Sequence, residues 1–374
     1  MTTTTFSSKS LSVIAPKLAA RLEGGKERAA QLLHRLTVNE ITDELGVVGP
    51  TANGGRFAVA YDEGSDRVAA STGGGSWRGF HPHAVSQMGE RLGIPGKFIK
   101  DQMAGAPWQK AGIADLLANH LGNTPKHDRF LVRSVGNEVR GILSDSYRRL
   151  SSPMIAQAFQ EAIDTAGIVP FETQVSDLKW VVRAMLPTPI EVVSNNHGTE
   201  YIGASLRLGN SDFGAGALDL ALEITRMSCT NGMTTESVMR AIHLGSRLPA
   251  DIQFAEDTYA ADTRAQCMAL RDMVPQLITP ERIQAQIAPI QEAMDTQVDA
   301  AVAIKGLIKA ARIGKLQGEQ VMGMILNRDG SIVPEGPVTR WTLSQAISGL
   351  ANDATLDDAE DLRRTAQRVM LSLN

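Results

Sequence analysis

Residues 203–248 read GASLRLGNSDFGAGALDLALEITRMSCTNGMTTESVMRAIHLGSRL, and their alternation decides the fold class. Ile202, Ala204, Leu206 and Leu208 alternate with Gly203, Ser205 and Arg207, the two-residue period of a half-buried strand. Beyond the connection from Gly209 to Gly216, Leu218, Leu220, Leu222 and Ile224 take one face, and Asp219, Ala221, Glu223 and Thr225 take the other. Continued strictly, this parity puts Arg226 on the apolar face, so a β-bulge or a bound or buried anion is expected there. Cys229-Thr230-Asn231-Gly232 supplies an Asn-Gly tight turn. Thr234-Thr235-Glu236 then opens a predicted short helical or irregular segment carrying Arg240, His243 and Arg247.

Upstream, Phe130 to Val135 and Val139 to Ser144 are strand-like, with Gly136-Asn137-Glu138 as a hairpin loop between them. A helix follows, with Ser152 expected at the N-cap, Pro153 at its first position and Gly167 as its stop. Further strands are expected near Phe171 to Val175, Leu178 to Leu186 and Tyr201 to Leu208. This order argues for an α+β fold, a mainly antiparallel sheet with a packed helix, followed by a helical C-terminal region. Four divisions result: an N-terminal tail and helices (1–43), a small mixed α/β region (44–125), an α+β core (126–250) and C-terminal helices (251–374).

In the first division, a Thr/Ser-rich tail precedes one or two amphipathic helices interrupted at Gly24-Gly25. In the second, Pro82 opens a helix that Gly93 and Pro95 stop, and His81 and His83 at its start suit capping better than metal ligation. Gly73-Gly74-Gly75-Ser76 lacks the Gly-Lys-Ser/Thr continuation of a phosphate loop and reads as a turn. The fourth is net acidic as a whole and reads as a packing or oligomerisation layer, with Trp341 as a core anchor.

The 374 residues carry a net charge of −4, which excludes a polycation and confines any nucleic-acid contact to local basic patches. Two cysteines, Cys229 and Cys267, argue against a disulfide framework or structural zinc and suit a reducing cytoplasm. The N-terminus has no apolar stretch long enough for a signal core or membrane span. No cofactor or metal is expected.

Four blocks occur in an order that resembles the DUF932 family of phage and plasmid proteins. They are Phe80-His81-Pro82-His83-Ala84-Val85-Ser86-Gln87-Met88 with Leu92-Gly93-Ile94-Pro95, Val139 to Tyr147, Asn210 to Ala217, and Cys229 to Met233 with His243-Leu244-Gly245. The chain departs from the pattern at Ser146, where the Leu-Ser-Asp-x-Tyr motif is expected to carry Arg. The resemblance brings no established catalytic role. It implies a setting of bacteriophages and plasmids, hence a bacterial cytoplasm.

Two classes of function follow. The first is a DNA-metabolism protein that binds single-stranded DNA, with strand and helix texture similar to Rad52-like annealing proteins and assembly into homo-oligomers. Arg129, Arg133, Arg140, Arg148 and Arg149 form a strip for the phosphate backbone, Tyr147 stacks on a base, and Lys179, Arg183, Arg207 and Arg226 extend the groove. The second is an enzyme with Cys229 as nucleophile, His243 as base and Asn231 or Asp145 as orienter. A host-directed, anti-defence binding protein is a third reading with no obligatory sequence mark.

Overall fold

The computed structural model describes residues 16, 18–20, 22–48, 57–73, 76–123, 128–194, 198–227, 232–241, 254–327 and 336–371, with the backbone alone at 128, 232–241 and 357. Two six-stranded sheets organise the chain. The first holds β1 (Ile41–Val48), β2 (Ala58–Asp62), β3 (Arg67–Ser71), β4 (Arg78–Phe80), β5 (Asp128–Val135) and β6 (Glu138–Ser144) in the order β1-β5-β6-β4-β3-β2. Its pairs are antiparallel except β4 with β6. The sheet curls until its two edges approach, the Phe57 N–H donating to the Val47 carbonyl at 3.0 Å. Phe57 sits edge-on to Phe80 and Phe130 in its core, and the hairpin between β5 and β6 turns on Gly136 at φ 54°. Helices α2 (Pro82–Arg91), α3 (Gly96–Met103) and α4 (Pro107–Asn123) bury Met88, Ile99, Ile113 and Leu117 in the same core.

The second sheet runs β12-β11-β10-β8-β7, from β7 (Val169–Val175), β8 (Trp180–Met185), β10 (Gly198–Asn210), β11 (Leu218–Arg226) and β12 (Gly232–Ala241); β9 (Ile190–Ser194) pairs with the first half of β10. Residues 232–241 are therefore a strand, not the short helical or irregular segment expected from Thr234 onward. The edge of β11 supplies hydrogen-bond partners that local propensity does not count, and Thr234, Thr235 and Val238 are β-branched.

Alternation in β10 and β11 gives the sheet two unlike faces. Leu206, Leu208, Leu220 and Leu222 join Val182 under α5 (Ser152–Thr165), α6 (Glu256–Leu277) and Leu32 of α1 (Gly25–Val38). α1 begins after Gly24, whose φ of 68° marks the expected interruption. Arg207, Asp219 and Glu223 lie on the opposite face, with Arg183 and Glu172 of the neighbouring strands, against Glu360, Arg363 and Arg364 of α11 (Leu356–Leu371). The remaining C-terminal helices, α7 (Pro280–Asp295), α8 (Ala300–Lys309), α9 (Lys315–Asn327) and α10 (Arg340–Leu350), close around Trp341 and Ile290. Trp341 is fully buried.

Two expected boundaries dissolve in this architecture. β1 pairs with β5 along its whole length, so the division at residue 125 cuts through one sheet. Ile202 and Ile224 share a core with the C-terminal helices, so residue 250 separates nothing either. Long-range strand pairing and helix-on-sheet packing leave no local mark in composition.

Candidate functional site

Three of the sequence blocks singled out above converge on the connection between β10 and β11. Residues 211–216 leave the second sheet and dock on the first, and successive carbonyls are each captured. The Tyr147 hydroxyl donates to the Ser211 carbonyl (3.2 Å), Arg133 Nη1 to that of Asp212 (2.7 Å), and Gln87 Nε2 to that of Phe213 (2.9 Å). His83 Nε2 also lies 3.0 Å from the Phe213 carbonyl; a carbonyl only accepts, so this nitrogen carries the proton. Burial lowers the His83 pKa, against the pull of that hydrogen bond, and favours the neutral ring. His81 caps α2 by accepting from the His83 N–H at 3.2 Å. The Gln87 carbonyl oxygen accepts from the Ile142 N–H at 2.8 Å, so one side chain ties loop, helix and strand together.

Gly214 allows this docking. It has φ 77°, and an added Cβ would stand 2.7 Å from Leu143 Cδ2 and 2.9 Å from Gln87 Nε2. Gly214→Ala is expected to destabilise the protein by about 1–3 kcal/mol, through the left-handed backbone and the clash together. Urea unfolding measures it, and a loss under about 0.5 kcal/mol would mean the loop is not held as described.

The docked loop places Asp212 on the wall of a cleft of about 490 Å³. Leu36, Ile41, Val135, Met154, Trp180 and Phe213 supply apolar lining, and the beginnings of α5 and α6 form one side. Asp212 is 5% exposed; Ser152 hydrogen-bonds its carboxylate, and Oδ1 has no hydrogen-bond partner among the described residues. Burial raises the Asp212 pKa, opposed by the Arg133 guanidinium and the Ser152 hydrogen bond. Ser152 was expected to cap α5. Ser151 holds the N-cap position instead, without a side-chain cap bond, while the buried Ser152 hydroxyl accepts from Trp180 Nε1 (2.9 Å) and Asn210 Nδ2 (2.8 Å).

The predicted DNA strip is dispersed among three environments. Arg133, Arg140, Arg149 and Lys179 line the cleft. Arg133 Nε holds Asp43 at 2.8 Å; Arg149 bridges Asp43 and Glu256 and lies 4.7 Å over the Tyr259 ring; Arg140 meets Glu138 at 2.8 Å and Asp177 at 3.7 Å. Half-buried Lys179 has its pKa lowered by burial, against the pull of Glu360 and Asp361. Arg129 pairs with Asp145, and Arg148 forms a two-pronged pair with Asp262 of α6. Arg183, Arg207 and Arg226 lie inside the second sheet's packing, each at most 6% exposed.

These side chains therefore do not form one open basic strip. A guanidinium taken out of water needs a carboxylate nearby, and the fold provides one for each of the eight predicted arginines, some of them sharing a carboxylate. Tyr147, the expected stacking platform, is 5% exposed, with Arg133 5.6 Å from its ring centre, so its face is not open to a base. At Arg226 there is no bulge in the β10–β11 register. Its Nε and Nη2 donate to the two oxygens of Glu200, both at 2.9 Å, so the buried anion is part of the chain.

Cys229, Asn231 and His243 lie outside the described residues. Cys267 is a buried free thiol, and burial raises its pKa. Among the described residues no group of three His, Cys, Asp or Glu is placed to hold a metal, and no helix is long and apolar enough to cross a membrane.

A second basic surface escaped the sequence reading. From Ala300 to Gly318 the chain has four cations, Lys305, Lys309, Arg312 and Lys315, and no acid. All four are exposed on α8, the following turn and the start of α9, and none of their side chains forms a hydrogen bond or ion pair with a described residue. Ala311 turns the chain with φ 52°, while the Arg312 N–H closes back on the Leu307 carbonyl at 2.9 Å. The signal was available as a charge run at helical spacing, but averaging over the net-acidic C-terminal region concealed it. Comparison with protein-family models, curated proteins and solved structures finds no match for this chain.

Proposed function

We propose that this protein binds nucleic acid, through phosphate contacts made by the α8–α9 face. The observation that carries the reading is the set of four exposed cations, their side chains paired with no described residue, within an acid-free run on a protein of net charge −4. Lys305 and Lys309 share a helix face at i and i+4, and Arg312 and Lys315 continue it through the turn. Asp358 and Asp361 border a shallow groove beside Arg312 and Lys315, so the phosphate path runs along α8 rather than across that groove. Val302 and Leu316, 67% and 69% exposed, add apolar contact but no stacking ring. The resemblance to phage and plasmid proteins implies a bacterial cytoplasm as the setting, and the strand and helix texture similar to Rad52-like annealing proteins makes single-stranded DNA the first substrate to test; homo-oligomer formation belongs to the annealing version of this reading.

Binding of fluorescent single- and double-stranded oligonucleotides across a salt series tests the proposal, with particle size followed in the same samples. Four phosphate contacts predict that log affinity falls against log salt with a slope of about 3 to 4. Lys305→Glu with Lys309→Glu should reduce that slope by about two or more. Arg148→Ala with Arg149→Ala should leave the slope unchanged and lower stability instead, because both arginines already hold carboxylates. The opposite result, a slope insensitive to α8 and sensitive to Arg148 and Arg149, overturns the assignment. Growth of the particle with single strands supports annealing, and a strict monomer with bound DNA opposes it.

A further inference from the structure

The cleft between the two sheets has a different chemistry from the α8–α9 face. Its cations are already engaged: Arg133 on Asp43, Arg149 on Asp43 and Glu256, Arg140 and Arg35 on Asp177. Lys179 faces Glu360 and Asp361 of α11. The acids are in surplus. Exposed Glu40 and Asp257 have no ion pair or side-chain hydrogen bond with a described residue, and Oδ1 of Asp212 accepts from none of the described residues. Arg133, the nearest guanidinium, donates to the main-chain carbonyl of Asp212, not to its carboxylate.

A buried carboxylate oxygen without a partner is costly unless a donor reaches it. The donor that fits is set by the surroundings. Five cations against six acids line the cleft, and a phosphate or carboxylate ligand would meet a wall whose positive charges are spoken for. An N–H cation meets the reverse. Leu36, Ile41, Val135 and Met154 provide an apolar channel for a hydrocarbon stem, and about 490 Å³ is within the usual range for a small-molecule site. Arg149 over Tyr259 already shows a guanidinium accommodated against an aromatic wall of the same cleft.

We propose that this cleft binds a small organic cation, an aliphatic amine or guanidine, whose N–H groups are received by Oδ1 of Asp212 and whose charge is balanced by Glu40 and Asp257. The site needs its loop in place, so the captures of residues 211, 212 and 213 by Tyr147, Arg133, His83 and Gln87 act as positioning contacts. The proposal stands independently of the nucleic-acid reading, since it uses none of the α8–α9 residues.

Isothermal titration calorimetry of the full chain with agmatine, spermidine and n-butylamine tests it, with n-butanol and butyrate as neutral and anionic controls. The amines are expected to bind and the controls are not. Asp212→Asn, nearly isosteric, should weaken amine binding at least tenfold while thermal unfolding remains cooperative. Glu40→Gln with Asp257→Asn, both at exposed positions, should weaken it two- to fivefold without a change in unfolding, and provides the test if Asp212→Asn fails to fold. A blocked Gly-Arg-Gly peptide that binds where agmatine does not would identify the source of the same cation as a polypeptide side chain. Absence of binding by every cation, equal affinity in the variants, or preference for butyrate overturns the proposal.

Discussion

Replacing Glu223 by Ala is expected to cost the fold about 3–5 kcal/mol, a large part of the 5–15 kcal/mol that stabilises most domains. Glu223 is fully buried on β11 between two arginines that oppose each other across β8 and β10. Its Oε2 accepts from Arg183 Nε at 2.9 Å, and its Oε1 lies 3.2 Å from Arg207 Nε. Like charges directly opposite on neighbouring strands repel, and here the repulsion is cancelled only by the carboxylates around them. Four cations (Arg183, Arg207, Arg363, Arg364) meet four acids (Glu172, Asp219, Glu223, Glu360). Removing Glu223 leaves net positive charge among buried side chains. Urea unfolding at neutral pH measures the loss, with Glu161→Ala as the control. Glu161 pairs with Arg271 in the open, both side chains about half exposed, so its removal should change stability by no more than about 1 kcal/mol. Equal effects from the two variants would falsify the claim that the network governs stability.

Acid should unfold the protein through the same network, with Glu360 as the main sensor. Burial pushes its carboxyl upward, but Arg207, Arg183 and Arg363 together overcome that and hold its pKa at about 2, against 4.5 for a free glutamate. Because the folded value is the lower one, the folded state binds its proton less readily than the unfolded chain. The stabilisation is therefore complete above about pH 4.5 and disappears as pH falls through 4.5 toward 2. A displacement of that size corresponds to roughly 3 kcal/mol at neutral pH. Glu360→Gln should lose roughly this amount at pH 7 and much less at pH 3, where the parent protein has begun to lose it too. Denaturation curves for both proteins at the two pH values decide the matter. A parallel loss at pH 7 and pH 3 would assign the residue's effect to packing rather than charge.

The same ion network explains why part of the candidate site was misread. Arg183, Arg207 and Arg226 have the right parity for one sheet face or the other, and parity was readable from Leu206, Leu208, Leu220 and Leu222. What covers a face was not. The strip Arg129 to Arg149 looked open because its neighbours in sequence include few acids, whereas Asp43, Glu256 and Asp262 arrive from 90 or more residues away in the pairs that neutralise Arg133, Arg149 and Arg148. Asp212 was visible only as one letter of a glycine-rich connection. Its role on the cleft wall depends on Arg133, Tyr147, His83 and Gln87 capturing the loop from the other sheet.

By itself the sequence determined the α+β class, the two strands of alternating Leu residues, the hairpin at Gly136, the helix opened by Pro82 and the helical C-terminal texture. Each of these rests on local periodicity or on a backbone preference of Gly and Pro, which act within a few residues. The tertiary structure decided that residues 41–144 share one sheet, that 232–241 form a strand, and that the predicted arginines are neutralised. It also placed Asp212 in a cleft and left Lys305, Lys309, Arg312 and Lys315 in water. Strand partners, desolvation and the meeting of opposite charges are properties of distance in space, and a charged side chain acquires its role from whichever groups the fold brings within a few ångströms of it.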